Sequence, residues 1–405
     1  MIHLEFARDR SISPRYIFVG RLVFEKGFDL VIQVAKEFLS HEGRSGLIEI
    51  YGSGPLRQQM ILELQRFSGF FDASNGIPIP PGAQVVYFGQ VSGNRVTEAL
   101  SRSHYMLMPS RFLETFGLSA LEAIESGVPV IGFDQGGLSQ FLLSEHRVGV
   151  GHIQNTTFLQ SVIEVDRAFS GANWRRQSLS VQDIAKKYST SQWVSEVQKY
   201  LPAQGKKILI ISDYAVPIGG IETHIQGSIR VLRTAGYEVD TLFAIKGESR
   251  LIRYFGLLFS SVNIWFALRL WWKIHQYQPD MIWIHSEVRC IGPVGLLPLL
   301  KFSGCLIKTY HDLGYFGAFP TQFTSESQLK PVLSFVDFFQ ISKGVHRYFF
   351  IHILAKFCQI QAIRCILGTR GVHIVPSEFM IPVTQGFTTS EAKVVKISHF
   401  SPHHP

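Results

Sequence analysis

Short runs of β-branched and aromatic residues alternate with amphipathic segments, and this alternation restricts the fold more than any other feature of the chain. Candidate strands lie at Tyr16–Gly20, Leu47–Gly52, Val85–Gly89, Tyr105–Ser110 and Val128–Phe133. Between them, apolar residues recur at helical spacing over Phe28–Ser40, Pro55–Arg66, Asn94–Arg102, Leu118–Ser126 and Leu138–Ser144. The strands are almost continuously apolar, which suits strands covered by helices on both faces, so the pattern specifies a parallel α/β sheet. Helical patterns at Thr157–Phe169 and Val181–Tyr200 close this half.

The segment Pro202–Lys206 reads as a linker, after which the alternation starts again. Strands are expected at Lys207–Ser212, Glu238–Ala244, Met281–His285, Leu306–Tyr310, His373–Pro376 and Val394–Ile397, with a helix over Ile221–Thr234. A chain of 405 residues, 46% hydrophobic and 17% charged, can fill two cores, here residues 1–201 and 206–405. The fold class is therefore α/β, with two doubly wound, Rossmann-like domains.

Charge is divided unevenly between the halves. Residues 1–200 carry 19 basic and 19 acidic side chains, whereas 201–405 carry 20 and 12, so the whole net charge of +8 sits in the second half. These basic residues are interleaved with long apolar stretches, Leu257–Trp272 and Tyr348–Ile366. That combination points to an anionic membrane surface rather than to nucleic acid, with ordinary core helices carrying a solvated basic rim as the plainer alternative. Arg269 interrupts the first stretch, which is too short for a span. The opening Met1–Phe6 has no basic-then-apolar pattern, so no secretory signal is expected. The four cysteines contain no CxxC pair, which argues against a disulfide framework or a zinc site and for a cytoplasmic chain.

Several segments carry chemistry. The strand Tyr105–Ser110 runs into Arg111-Phe112-Leu113-Glu114-Thr115-Phe116-Gly117-Leu118, where a helix begins. Backbone N–H groups at a helix start suit a diphosphate, and a glycine there lets backbone and ligand approach closely. Glu122 lies farther along the same helix. Two glutamates eight apart mark nothing by themselves, and neither does a basic pair such as Arg21 and Lys26 around a turn. Two cations fixed in a dry cleft could, however, stabilise a departing diphosphate without a metal.

Taken together, Val19-Gly20-Arg21 through Lys26-Gly27, Glu114 through Glu122, and Gly127-Val128-Pro129-Val130 resemble the nucleotide-binding, C-terminal half of family 4 retaining glycosyltransferases of the GT-B fold. Lys207 to Tyr214, followed by Pro217-Ile218-Gly219-Gly220-Ile221-Glu222-Thr223-His224, resembles the opening of that family's N-terminal half. The halves thus stand in reversed order. The resemblance implies a donor site of Arg21, Lys26, Glu114, Phe116, Gly117, Leu118, Glu122, Gly219 and Gly220, with Glu114 at the donor sugar, Glu122 on the ribose and the Gly219-Gly220 backbone beside phosphate and sugar. It places His311, at the end of Leu306–Tyr310, in the active site with Glu114, whereas His285 is read as structural.

The implied activity is metal-independent sugar transfer, with retention, from a UDP-, GDP- or ADP-sugar to a glycan or lipid-linked acceptor. No cofactor is implied beyond the nucleotide sugar. Two departures stand out: Gly136-Gly137-Leu138-Ser139-Gln140 lacks the family's Pro-Glu, and Ser398-His399-Phe400 replaces its Asn-Gly. A nucleotide-sugar epimerase of the same fold is an alternative reading. So is an inactive chain joining pieces of two transferases, in contrast to a working circular permutation joined at Pro202–Lys206.

Overall fold

The computed structural model describes residues 13–41, 46–149, 155–203, 206–215, 220–245, 262–317, 322–329, 334–342 and 350–400. The chain divides into two compact units, Met1–Lys187 and Tyr188–Pro405.

The first unit is built on seven parallel strands: β1 (Arg15–Val19), β2 (Leu47–Tyr51), β3 (Phe70–Asp72), β4 (Val85–Gly89), β5 (Tyr105–Met108), β6 (Val130–Phe133) and β7 (Arg147–Val148). Their order across the sheet is β3-β4-β2-β1-β5-β6-β7. Tyr16 and Phe18 face the helix Phe28–Ser40, which buries Phe28, Val31, Val34 and Phe38 on the same core. Ile17 and Met106, on alternate pleats, are also buried. The helices Gly93–Arg102 and Leu118–Glu125 pack against β1 and β5. Both faces are covered, as the unbroken apolar strands require.

The second unit holds six parallel strands: β8 (Lys207–Tyr214), β9 (Glu238–Ile245), β10 (Met281–Ile284), β11 (Cys305–Thr309), β12 (Val372–Val375) and β13 (Lys393–Lys396). Their order is β13-β12-β11-β10-β8-β9. In each sheet the chain reverses direction once, between β1 and β5 in the first and between β8 and β10 in the second. The two parallel α/β domains expected from the alternation are therefore present.

Three details differ from the sequence reading. The segment Leu138–Ser144 is not an α-helix; a 3-10 turn covers Gly136–Phe141 instead. The single helix expected over Val181–Tyr200 is two helices, Gly171–Ala185 and Thr190–Gln198, because the Ser189 side chain accepts from the Gln192 N–H and caps a new start. The short strands β3 and β7 went unread, since three and two residues give no periodicity.

The break in the helix moves the domain boundary. It lies between Lys187 and Tyr188, not at 201–206. Trp193 and Val197, 4% and 1% exposed, belong to the core of the second sheet alongside Ile208, Ile210 and Trp283. Trp193 stacks on Trp283 with ring centroids 6.0 Å apart and meets Phe400 at 4.7 Å. Replacing Trp193 with Ala is expected to destabilise the second unit by about 3–5 kcal/mol through the lost burial and the cavity left behind. Hydrogen exchange followed peptide by peptide on the full chain checks this: protection should fall in β8, β10 and β11, while β1 and β5 keep theirs.

Candidate functional site

In the first unit the loops after β1 and β5 meet at the carboxyl ends of the two strands that flank the reversal of the sheet. Open parallel sheets offer ligand crevices at that position. The loop after β1 forms a 3-10 turn, Phe24–Lys26, closed by Gly27 at a φ of 66°. A side chain on Gly27 would lie 1.9 Å from the Pro109 carbonyl oxygen, so only glycine lets this turn sit against the end of β5.

That approach brings two of the expected residues together. Lys26 Nζ lies 2.5 Å from Glu114 Oε1, and the Ser110 hydroxyl donates to the same oxygen at 2.7 Å. Glu114 is buried, and its main chain is fixed as well: its carbonyl accepts the Gly137 N–H at 2.6 Å. Gly137 belongs to the Gly136-Gly137 pair, after which Leu138-Ser139-Gln140 departs from the resembled family. Gln135 Nε2 donates to the Ser110 carbonyl at 2.9 Å and ties the same loops.

Beside Glu114, Gly117 takes a φ of 94° and caps the helix Leu118–Glu125. The amides of a first helical turn have no acceptor within their own helix, so Gly117 and Leu118 stand where an anion could be held. The Phe116 ring is buried edge-on against Phe141 at 5.1 Å. Glu122 lies on the same helix, and burial pushes its carboxyl up to about 7.

Arg21 does not join the Lys26–Glu114 pair. It is exposed in the loop after β1 and lines a cavity of about 260 Å³ with Gly20, Gly52, Ser53, Gln90 and Val91. Ser53, Gln90 and Val91 were not singled out from the sequence, although each follows a strand closely and two come directly after strand-end glycines. Arg111 was also passed over. Its guanidinium pairs with the Asp29 carboxylate, one of the two bonds measuring 2.8 Å, and donates to the Phe24 carbonyl at 3.1 Å. It locks the turn that carries Lys26.

The second unit presents a different chemistry. Gly219 lies outside the described residues, and Gly220 is the exposed first residue of the helix Gly220–Thr234. His311 ends β11, as expected, but both ring nitrogens are engaged by other histidines. Its Nε2 is 2.9 Å from His285 Nδ1, and its Nδ1 is 3.2 Å from His399 Nε2. His224 stacks on His399 with centroids 4.1 Å apart and meets Trp193 at 6.0 Å. Trp193, Trp283, His285, His311, His399 and His224 therefore form a closed ring of aromatic contacts.

His285 Nε2 is buried without a hydrogen-bond partner. A proton there would be an orphaned donor, so the cheaper arrangement protonates His285 on Nδ1, leaving His311 Nε2 to accept and His311 Nδ1 to donate to His399. His285 is thus more than a strand-end residue: it sets the tautomer of His311. His399 occupies one of the positions where the chain departs from the resembled family.

Below this ring, Lys308 Nζ is 2.6 Å from Glu287 Oε2 and donates to the His285 carbonyl at 2.8 Å. Burial raises the Glu287 carboxyl to about 7 despite the lysine. Asp213, at the end of β8, accepts from the Ser286 hydroxyl and from the N–H groups of Arg289, Cys290 and Ile291, all at 3.1 Å or less. One carboxylate thereby shapes the whole loop after β10.

Residues 13–162 match the family model described as glycosyl transferases group 1. Among curated relatives, the chain is 32% identical to a glycogen synthase of Pseudomonas syringae over 40% of this chain and 30% of that protein. It is 31% identical to a D-inositol 3-phosphate glycosyltransferase of Nocardia farcinica over 31% of this chain and 27% of that protein. The chain spans 40% or less of the length of these curated relatives. Among solved structures, the catalytic domain of cholesterol-alpha-glucosyltransferase from Helicobacter pylori matches 44% of this chain and 99% of its own, at 16% identity and a TM-score of 0.33.

The buried histidine ring is expected to make the second unit acid-labile. Burial holds His224 down to about 4 and holds His285, His311 and His399 well below the usual histidine range. A histidine whose folded pKa is depressed stabilises the fold above its unfolded value of about 6.5 and loses that stabilisation as pH falls. Each ring is expected to remove up to about 1.4 kcal/mol per pH unit below that point. Five of the six tryptophans lie in the second unit, so urea unfolding followed by tryptophan fluorescence reports chiefly on it. The midpoint should drop steeply between pH 6.5 and 4.5, and a flat profile would contradict the buried neutral array.

Proposed function

We propose that this protein transfers a sugar from a nucleotide-sugar donor to a glycan or lipid-linked acceptor. The observation that carries the reading is the Lys26–Glu114 pair, held beside the Gly117-capped helix at the reversal of a parallel sheet. The match of this unit to the group 1 model supports it. In this reading Lys26 and the Gly117 and Leu118 amides receive the diphosphate as negative charge develops on it, and Arg21 adds a second cation from the neighbouring cavity. Glu114 orients the donor sugar, and its bond to Lys26 fixes both groups before the ligand arrives. Glu122 accepts the ribose hydroxyls.

Orientation and fixed electrostatics supply the catalysis, with no protein nucleophile required. Retention at the anomeric carbon, with a UDP-, GDP- or ADP-sugar as donor, belongs to the same proposal. The Gly220 backbone is assigned to the donor phosphate and sugar, and the tautomer-fixed His311 acts on the sugar only if the substrate displaces one of its histidine partners. The reversed order of the halves is read as a working permutation. The protein is proposed to work on the cytoplasmic face of a membrane.

Calorimetric titration of UDP, GDP and ADP into the full chain tests the donor site. One of the three should bind, and Lys26→Ala should lower donor turnover about 10²–10³-fold, as loss of a charge-stabilising donor does. Failure of all three to bind a folded chain ends the proposal. Glu122 gives a second readout. Its carboxyl is half ionised near neutral pH, and a charged carboxylate binds hydroxyls more strongly. Affinity should therefore rise about tenfold from pH 6 to pH 8 beyond any change seen with Glu122→Gln, in which only the ligand titrates.

A further inference from the structure

The helix Ile264–Tyr277 in the second unit has two apolar faces. Phe266 and Leu270 point inward and are buried. On the opposite side, Trp265 is 72% exposed, Trp271 52% and Trp272 57%, with Leu268 and Ile264 exposed between them. At 3.6 residues per turn these five side chains fill an arc of about 120° centred opposite the core. Three of the six tryptophans of the chain are therefore spent on one outward face. Single exposed apolar residues are ordinary, but a contiguous stripe of this kind marks a surface that something covers.

The surroundings identify the cover. Arg269 lies one turn from Trp265 on the rim of the stripe. The helix packs against the 3-10 turn Leu297–Lys301, in which Leu297 and Leu300 are exposed and Lys301 supplies a second cation. The half of the chain holding this surface carries the entire net charge of +8. Tryptophan bodies with polar tips, basic side chains at the rim and a helix flat against the domain suit the boundary between lipid headgroups and acyl chains. Spanning is ruled out for this helix, since none among the described residues is long and apolar enough to cross a membrane.

We infer that Ile264–Tyr277 and the adjoining Leu297–Lys301 turn form the docking surface of the protein for an anionic lipid bilayer, with Trp265, Trp271 and Trp272 entering the interface. This extends the membrane placement proposed above and names the element responsible for it. Lipid capture does not require sugar transfer, so each can fail without the other.

The test is flotation of the full chain with vesicles of phosphatidylcholine alone or of phosphatidylcholine with phosphatidylglycerol. The native protein should float with the anionic vesicles and much less with the neutral ones, and salt should weaken the capture because exposed charges are screened. Bromine-labelled acyl chains should quench its tryptophan fluorescence. The triple variant Trp265→Gln/Trp271→Gln/Trp272→Gln should lose at least about tenfold in vesicle affinity while keeping its urea midpoint, because the altered side chains face outward. Arg269→Ala/Lys301→Ala should keep the tryptophan quenching on bound protein but lose much of the preference for anionic lipid. Undiminished capture of the triple variant overturns the inference, as does failure of the native chain to float with either vesicle. A native dimer that the triple variant abolishes, without vesicle binding by either, also overturns it and assigns the stripe to a second copy of the chain.

Discussion

A parallel sheet with both faces buried is the constraint on which the rest of this protein depends. Parallel strands cannot be joined by tight turns, so every connection must return across a face, and the returning helices bury the apolar side chains on both sides. All strands then end on the same edge. In the first unit the loops that leave β1 and β5 diverge to opposite sides at the reversal of strand order, and the gap between them is filled by Lys26, Ser110 and Glu114. The site is a consequence of the topology, and Gly27 is the point where it would fail first, because a Cβ there collides with the backbone after β5.

The second unit follows the same rule with a different outcome. Its strand ends carry ionisable groups that engage one another: Asp213 holds the loop after β10, Lys308 pairs with Glu287, and four histidines and two tryptophans close a ring of aromatic contacts. A buried polar network of this kind rigidifies when complete and is costly when broken. It stays neutral at its histidines because desolvation opposes their protonation, which ties the integrity of this unit to pH.

The helix Thr190–Gln198 joins these two accounts. It follows the first unit in sequence, yet its Trp193 closes the aromatic ring that contains His311. A single residue at the start of the second unit thus packs into the ring that holds a histidine more than a hundred residues later, through contacts that no local pattern announces.

The sequence by itself determined the fold class and most of the elements, because strand and helix periodicities are local and the apolar runs leave one way to bury them. It also determined the Glu114–Glu122 segment as the start of a helix at a strand end, since Gly117 after an apolar strand is a local signal. Only the tertiary structure decided which charges meet. Lys26 and Glu114 are 88 positions apart, and nothing in either neighbourhood says that they share a proton-bearing contact while Arg21 turns to a separate cavity. The same holds for His311, whose ring nitrogens are engaged by residues 26 positions before it and 88 after it. The domain boundary was misplaced for a related reason: a capping serine breaks one helical pattern into two, and whether the second piece belongs to the core before it or the core after it depends on which sheet Trp193 can reach. Periodicity fixes what a segment is, whereas pairing, burial and tautomer depend on what the folded chain brings beside it.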